Sequence, residues 1–213
     1  MPPTRHTGKR VKEIVGLLPY DQVKHMAKVG VLADAMGKKI AENTLKDFEP
    51  APYGLFGHAA FYHDIGKACI PPELLSKPGK LTTEETKTMQ AHTLLAGHLF
   101  DQALEGVVSG IPAYLIAPAR NAAVYHHEWW NGEGYPFGIC AQEIPLIARV
   151  VAICDAYDAM TSARAYRRPY SHAFACDELL KYAGIQFDPV LVELFMENAA
   201  AFARLSAQAI TAI

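Results

Sequence analysis

Four cysteines occur in 213 residues, Cys69, Cys140, Cys154 and Cys176, and no two form a CxxC pair. That spacing speaks against a zinc knuckle or a redox dithiol, and free buried thiols in a reducing cytoplasm are the simplest account. No apolar run is long enough for a bilayer, which needs about 20 residues. The most apolar, VVSGIPAYLIAPA at 107–119, is broken by Gly110, Pro112 and Pro118. The opening MPPTRHTGKR is charged but has no apolar core behind it, so a signal peptide is not expected and a cytoplasmic place is. An excess of one charge is missing too: 20 Lys and Arg stand against 22 Asp and Glu, a formal net charge of −2. Such a balance argues against a nucleic-acid-coating surface, while a local basic pocket stays open. Sustained strand alternation and internal repeats are also lacking.

What is there is ordinary in bulk and helical in pattern. Half the residues are hydrophobic and a fifth charged, and the length suits one domain with a sizeable core. An amphipathic helix is expected from about Asp21 to Leu45, weakened by Gly30 and Gly37, and a second over 54–65 that stops at Gly66. IPPELLSKPGK reads as a loop. Thr82 and Glu85 have capping-box spacing and open a helix that contains His92. Another helix leads into His126, the turn NGEGYPFG cannot be helical, and Pro145 starts a helix through Asp155. Ser171 and Asp188–Pro189 look like caps of the last helices. The fold class is all-α, with the first twenty residues loosely attached.

Two stretches carry the chemistry. In FYHDIGKACIPPELL, His63 and Asp64 are adjacent, with Lys67 one turn later. A carboxylate can bridge two cations through its two oxygens while the neighbouring imidazole gives one nitrogen to one of them. Helix neighbours point about 100° apart, so such a pair reaches two places more readily than one. The same reasoning applies to His126–His127 in VYHHEWWNGEGYPFG. Further candidate ligands are His25, with Asp21 four residues earlier on the same face, His92 and Asp155. Imidazole mixed with carboxylate suits iron, manganese or another divalent metal better than calcium or thiolate-bound zinc. Singly, each has a plainer account: His25 and His92 as core histidines, Asp155 as a surface acid, Asp158 as a salt-bridge partner. Their order along the chain carries the argument.

That order, HDIGKACIP, KPGKLTTEE, HTLLAGH, HHEWWNGEGYPFG, IPLIARVVAICDAYDAMTSARAYR and GIQFDP, resembles the HD-GYP domain family. This is the branch of the HD superfamily that hydrolyses cyclic di-GMP in bacteria. The resemblance implies an HD-superfamily helical bundle over 20–195, with a metal site in its core and a GYP loop at its rim. It leaves 1–19 as an N-terminal extension and 196–213 as a C-terminal helical tail packed on the same domain. The implied metal ligands are His25, His63, Asp64, His92, His126, His127 and Asp155, around two divalent ions, iron or manganese, with Asp64 between them. Asp21 stands where members with a third metal usually carry glutamate. His6, His58, His98 and His172 match no ligand position.

The resemblance also implies a reaction. A hydroxide held between the two metals attacks phosphorus in line with the departing 3′-oxygen, giving pGpG and, with a second cut open to the family, GMP. Lys67 has a catalytic and substrate-binding role, countering charge on the phosphoryl or leaving oxygen. Arg164 and Arg167 match phosphate-contacting positions, and Arg168 is left unassigned. Tyr135 and Pro136 shape the rim, Trp129 and Trp130 pack, and Asp158 orients a ligand or an arginine. The loop is also implicated in contacts with diguanylate cyclase (GGDEF) domains; no nucleic-acid polymer or membrane is expected as a partner, and the oligomeric state is open. Lys28, Asn131 and Ala165 depart from the family's common arginine, aspartate and proline, which bears on substrate preference and rate. Regulation is expected to come from elsewhere, because few residues precede Asp21. Two rival readings stay open: a phosphodiesterase for another cyclic dinucleotide such as 3′,3′-cyclic GMP-AMP or a broader HD phosphohydrolase, and a cyclic-di-GMP-responsive binding module.

Overall fold

The longest helix, α2 (Tyr20–Glu42), buries Met26, Val29, Ala33, Met36 and Ile40, a spacing of threes and fours that lines one face. Gly30 and Gly37 lie on that face for a packing reason. A Cβ on Gly30 would stand 2.9 Å from the Gly57 carbonyl oxygen, and one on Gly37 2.7 Å from that of Tyr53. Their helix-propensity penalty therefore permits a close crossing by the segment that leads to the HD pair.

A computed structural model describes residues 8–43, 48–163 and 168–208. Eleven α-helices occur among them, and no strand. They are α1 (Val11–Val15), α2, α3 (Phe56–Ala60), α4 (Pro72–Leu75), α5 (Thr83–Gln90), α6 (His92–Leu104), α7 (Ala113–Tyr125), α8 (Leu146–Thr161), α9 (His172–Lys181), α10 (Pro189–Glu197) and α11 (Ala199–Gln208). Helix α8 is the axial element: Leu146 through Cys154 are all buried. Against it pack α2, α3 and α7, and α6 lies beyond, against α7 and the 3₁₀ turn Ile65–Cys69. Arg149 holds the far end of α8. Its guanidinium donates to the Asp188 carboxylate at 2.7 Å and to the Ile144 carbonyl at 2.8 Å, and it also pairs with Glu49.

Several expectations need correction. The region 54–65 is not one helix: a 3₁₀ turn (Tyr53–Leu55) runs into α3, and the HD pair lies in a turn between α3 and the next 3₁₀ segment. Gly66 is no helix stop. A Cβ there would come within 1.9 Å of the His92 carbonyl oxygen, so the glycine lets the HD turn press against the start of α6. The proline-dense loop contains α4, with Pro72 inside its first turn. The capping box forms, with the Thr82 N–H donating to Glu85 at 2.8 Å, but the helix breaks at Ala91 and His92 opens α6.

From residue 8 on, the N-terminal segment is less loose than expected. Val11, Ile14 and Leu18 are buried, and the Val11 N–H donates to the Ser109 carbonyl at 2.8 Å. At the other end, α11 packs on α2, and its buried Phe202 stands with its ring centroid 4.7 Å from that of Phe195 in α10. Ser171 and Asp188 cap α9 and α10 as expected. Of the thiols only Cys154 is buried, while Cys140 is exposed. Among the described residues, no helix is long and apolar enough to cross a membrane.

Candidate metal centre

Five elements bring imidazoles and carboxylates to one point: α2 with His25, the turn with His63 and Asp64, the first residue of α6 with His92, the end of α7 with His126 and His127, and α8 with Asp155. All seven sequence-predicted ligands belong to three overlapping groups whose donor atoms lie within 4.8 Å of one another. Donors sharing one ion at about 2.0–2.2 Å must lie some 3–4 Å apart, so these separations suit a metal.

The two oxygens of Asp64 face different partners. Oδ2 lies 3.3 Å from His63 Nε2 and 3.9 Å from His25 Nε2, while Oδ1 lies 3.3 Å from His92 Nε2 and 3.8 Å from His126 Nε2. The local backbone fixes which nitrogens point inward. His63 Nδ1–H donates to the Ala60 carbonyl at 2.9 Å, His92 Nδ1–H to Met89 at 2.8 Å, and His126 Nδ1–H to Ala123 at 3.0 Å. A donating Nδ1 leaves Nε2 as the lone-pair atom, the usual preparation of a ligating imidazole. Nε2 of His63, His92 and His126, together with Asp64 Oδ1, are buried without a hydrogen-bond partner. Each such atom costs about 1–3 kcal/mol when left so. Four converging on one point fit a bound cation, and the donor set fits a transition metal with nitrogen and oxygen ligands.

His25 is held differently. Its Nδ1–H donates to Asp158 Oδ2 at 2.7 Å, and Nε2 lies 3.0 Å from Asp155 Oδ1. Asp158 is in turn held by the buried Lys28, whose ammonium is 2.5 Å from Oδ1, and by the Ser162 hydroxyl at 2.9 Å. Burial works against a proton on His25, but the bonds to Asp155 and Asp158 outweigh it and raise the pKa to about 9. The opposite holds across the site. Burial and neighbouring imidazoles push His126 well below the ordinary value, and burial with His92 beside it takes His127 to about 3. Burial would raise the Asp64 pKa, but Lys67 and His63 hold it well below the usual carboxylate range. Asp155 is likewise depressed despite burial, chiefly through its hydrogen bond with His25.

Other predicted residues fall into place unevenly. Lys67 donates to Asp64 Oδ2 at 2.6 Å, and the Tyr135 ring stacks on His127 with centroids 4.7 Å apart. Asp21 is exposed and belongs to none of the three groups, so the structure does not bring it to the centre. Its neighbour Gln22 reaches in instead, donating to Asp64 Oδ2 at 2.8 Å. No spacing rule singles out a lone glutamine, and only the fold reveals it. Lys28 was legible merely as a departure from a common arginine, yet it anchors Asp158. Arg164 and Arg167 lie outside the described residues, as does His6. His58 and His98 are exposed, and His172 bonds to the Tyr157 hydroxyl at 2.9 Å.

A buried centre of histidines and aspartates with metal-ligand spacing lies inside an all-α bundle, and the comparisons point to one family. Residues 22–191 match the family described as HD domain. A Vibrio cholerae protein named "Probable cyclic di-GMP phosphodiesterase" is 42% identical over 147 residues, 69% of this chain and 33% of that one. Another V. cholerae protein, "3'3'-cGAMP-specific phosphodiesterase 2", is 35% identical over 141 residues, 66% of this chain and 26% of that one. Among solved structures, the HD domain of the L. monocytogenes phosphodiesterase PgpH superposes with a TM-score of 0.61 at 16% identity, over 91% of this chain and 96% of that one, a likeness of fold. The chain belongs to the HD domain family, in its HD-GYP branch. It spans a third or less of the length of these two curated relatives.

Proposed function

We propose that this domain is a metal-dependent phosphodiesterase that opens cyclic di-GMP to pGpG, and in a second cut to GMP, in the cytoplasm where such messengers act. The observation that carries this reading is the set of unpartnered inward atoms around Asp64, together with relatives named for this activity. His63 and His25 with Asp155 would hold one divalent ion, and His92, His126 and His127 the other, with one Asp64 oxygen for each. Iron or manganese suits this donor set. When bound, the ions supply Lewis-acid stabilisation of phosphoryl charge and a lowered pKa for water.

The chain's own residues do the rest. His63, His92 and His126 are locked in one tautomer by backbone carbonyls, so no proton has to leave Nε2 before it ligates. Lys67 sets a half-buried ammonium beside Asp64, where it can meet a phosphate oxygen or the leaving oxygen. Tyr135, stacked on His127, walls the side of the site that a purine or ribose would meet. Arg164 and Arg167 supply guanidinium forks for the two phosphodiesters of a dianionic substrate on a chain with a net charge of −2. On the loop's outgoing leg Phe137 is 57% exposed, which suits the docking of a diguanylate cyclase domain.

A second reading, hydrolysis of 3′,3′-cyclic GMP-AMP, is favoured by the relative named for that specificity. One chromatographic time course separates them. Protein purified without oxygen and loaded with iron or manganese is given cyclic di-GMP, cyclic GMP-AMP and a generic phosphodiester. Metal-dependent conversion of cyclic di-GMP is expected to be fastest. Turnover of cyclic GMP-AMP alone selects the second reading, and binding without turnover in fully metallated protein refutes both.

A further inference from the structure

We infer that Glu128 is a positioning residue for this reaction, clamping the 128–138 loop so that Tyr135 lies against His127. The inference rests on the proposed function for its catalytic meaning, but its geometry stands apart from it. Glu128 follows the His126–His127 pair directly and is only 2% exposed. Neither carboxylate oxygen turns to the metal centre. Oε1 accepts from the Phe137 N–H at 2.7 Å and Oε2 from the Gly138 N–H at 3.0 Å.

A buried carboxylate is expensive unless charge-assisted bonds satisfy it, and a bidentate grip on two successive N–H groups does so with fixed register. The grip joins the first residue of the loop to its tenth and eleventh. Between them the chain folds back on its own start: the Tyr135 N–H donates to the His127 carbonyl at 3.1 Å. A Cβ on Gly134 would come within 2.2 Å of the Trp129 nitrogen, so only glycine permits this return. Tyr135 is thus pinned by its own N–H on one side and by the Glu128 grip on the residues just after it. Its ring lies 22° from parallel to that of His127. Released from Glu128, the outgoing leg loses both hydrogen bonds at Phe137 and Gly138, and Tyr135 is held by its own N–H while the next backbone tie is that of the Ala141 N–H to the Trp130 carbonyl at 2.9 Å.

Glu128→Gln tests this because it keeps the size while setting an NH₂ group against one of two N–H donors. In the full chain, hydrogen–deuterium exchange over 128–138 should quicken while the helices keep their protection. With metal content unchanged, KM for cyclic di-GMP should rise about three- to tenfold with little change in kcat, the mark of lost uniform binding. Tyr135→Ala should raise KM as well, and the double variant should be no worse than Tyr135→Ala alone. If Glu128→Gln folds poorly, Glu128→Asp, whose shorter reach loses one of the two bonds, should give a smaller effect of the same kind. Unchanged exchange in the loop, an unchanged KM, or additive effects in the double variant would overturn the inference. If the wild type turns over no cyclic dinucleotide, the proposed function falls, and exchange at 128–138 still decides whether Glu128 holds the loop.

Discussion

The two sides of Asp64 are built on opposite electrostatic plans. On one side His92, His126 and His127 crowd together, with rings 4.1 to 5.4 Å apart and Asp64 Oδ1 3.3 Å from His92 Nε2. On the other, His25 faces Asp64, Asp155 and Asp158. Burial is common to both, yet His127 is driven down to about 3 and His25 up to about 9. The first side excludes protons and leaves lone pairs ready for a cation. The second already holds a proton, which a cation must displace. Metal binding is therefore expected to be proton-coupled on the His25 side and nearly proton-free on the His92 side.

The largest effect should come from removing what both sides share. Asp64→Ala is expected to cut hydrolysis by roughly 10³-fold or more and to lower bound metal on both sides. Full activity in that variant would break the comparison outright, since neither side could then depend on the carboxylate. A smaller and one-sided effect is expected from Asp158→Asn, about 10–100-fold in metal affinity. Metal titration should show one class of site weakened and the other intact; equal weakening of both would mean the sides are not separate.

Gly66→Ala probes how the HD turn meets α6. Its Cβ has no room beside the His92 carbonyl, so a loss of about 1–3 kcal/mol in unfolding free energy is expected. Thermal or urea melts measure it, and an unchanged midpoint would show that the turn does not press on His92. The subtlest effect is on the pH dependence of metal-free stability. His25, raised from 6.5 to about 9, contributes stability that is full below 6.5 and is lost as pH climbs through about 9. His127, lowered from 6.5 to about 3, contributes stability that is full above 6.5 and is lost as pH falls toward 3. Stability should therefore peak near neutrality and fall on both sides. Asp158→Asn should flatten the alkaline limb most, and soften the acid limb too, because against the effect of burial His25 and Lys28 hold this carboxyl below its ordinary range.

How much of this was written in the sequence varies by residue. The seven histidines and aspartates were legible because their types and order are a strong pattern, and caps such as Thr82, Ser171 and Asp188 follow local rules. The break of the 54–65 region was not, because apolar periodicity cannot distinguish a helix from consecutive short turns that bury the same residues. Asp21 and Gln22 show the limit most plainly. One helical turn before His25 an acid satisfies the spacing argument, but α2 is rotated so that the neighbouring amide reaches Asp64. Rotation about a helix axis is set by the core face of Met26, Val29, Ala33 and Met36, not by the chemistry of the exposed residue. Glu128 escaped notice for a related reason: its partners are backbone N–H groups, which carry no side-chain signature.

The most direct test of the two-sided centre is a count of metal per chain. Protein reconstituted without oxygen with iron or manganese, freed of loose ions by gel filtration, would be measured by plasma emission against protein concentration. Two ions per chain in the wild type is the expected result, one for each oxygen of Asp64. A single ion per chain, retained in Asp64→Ala, would contradict it.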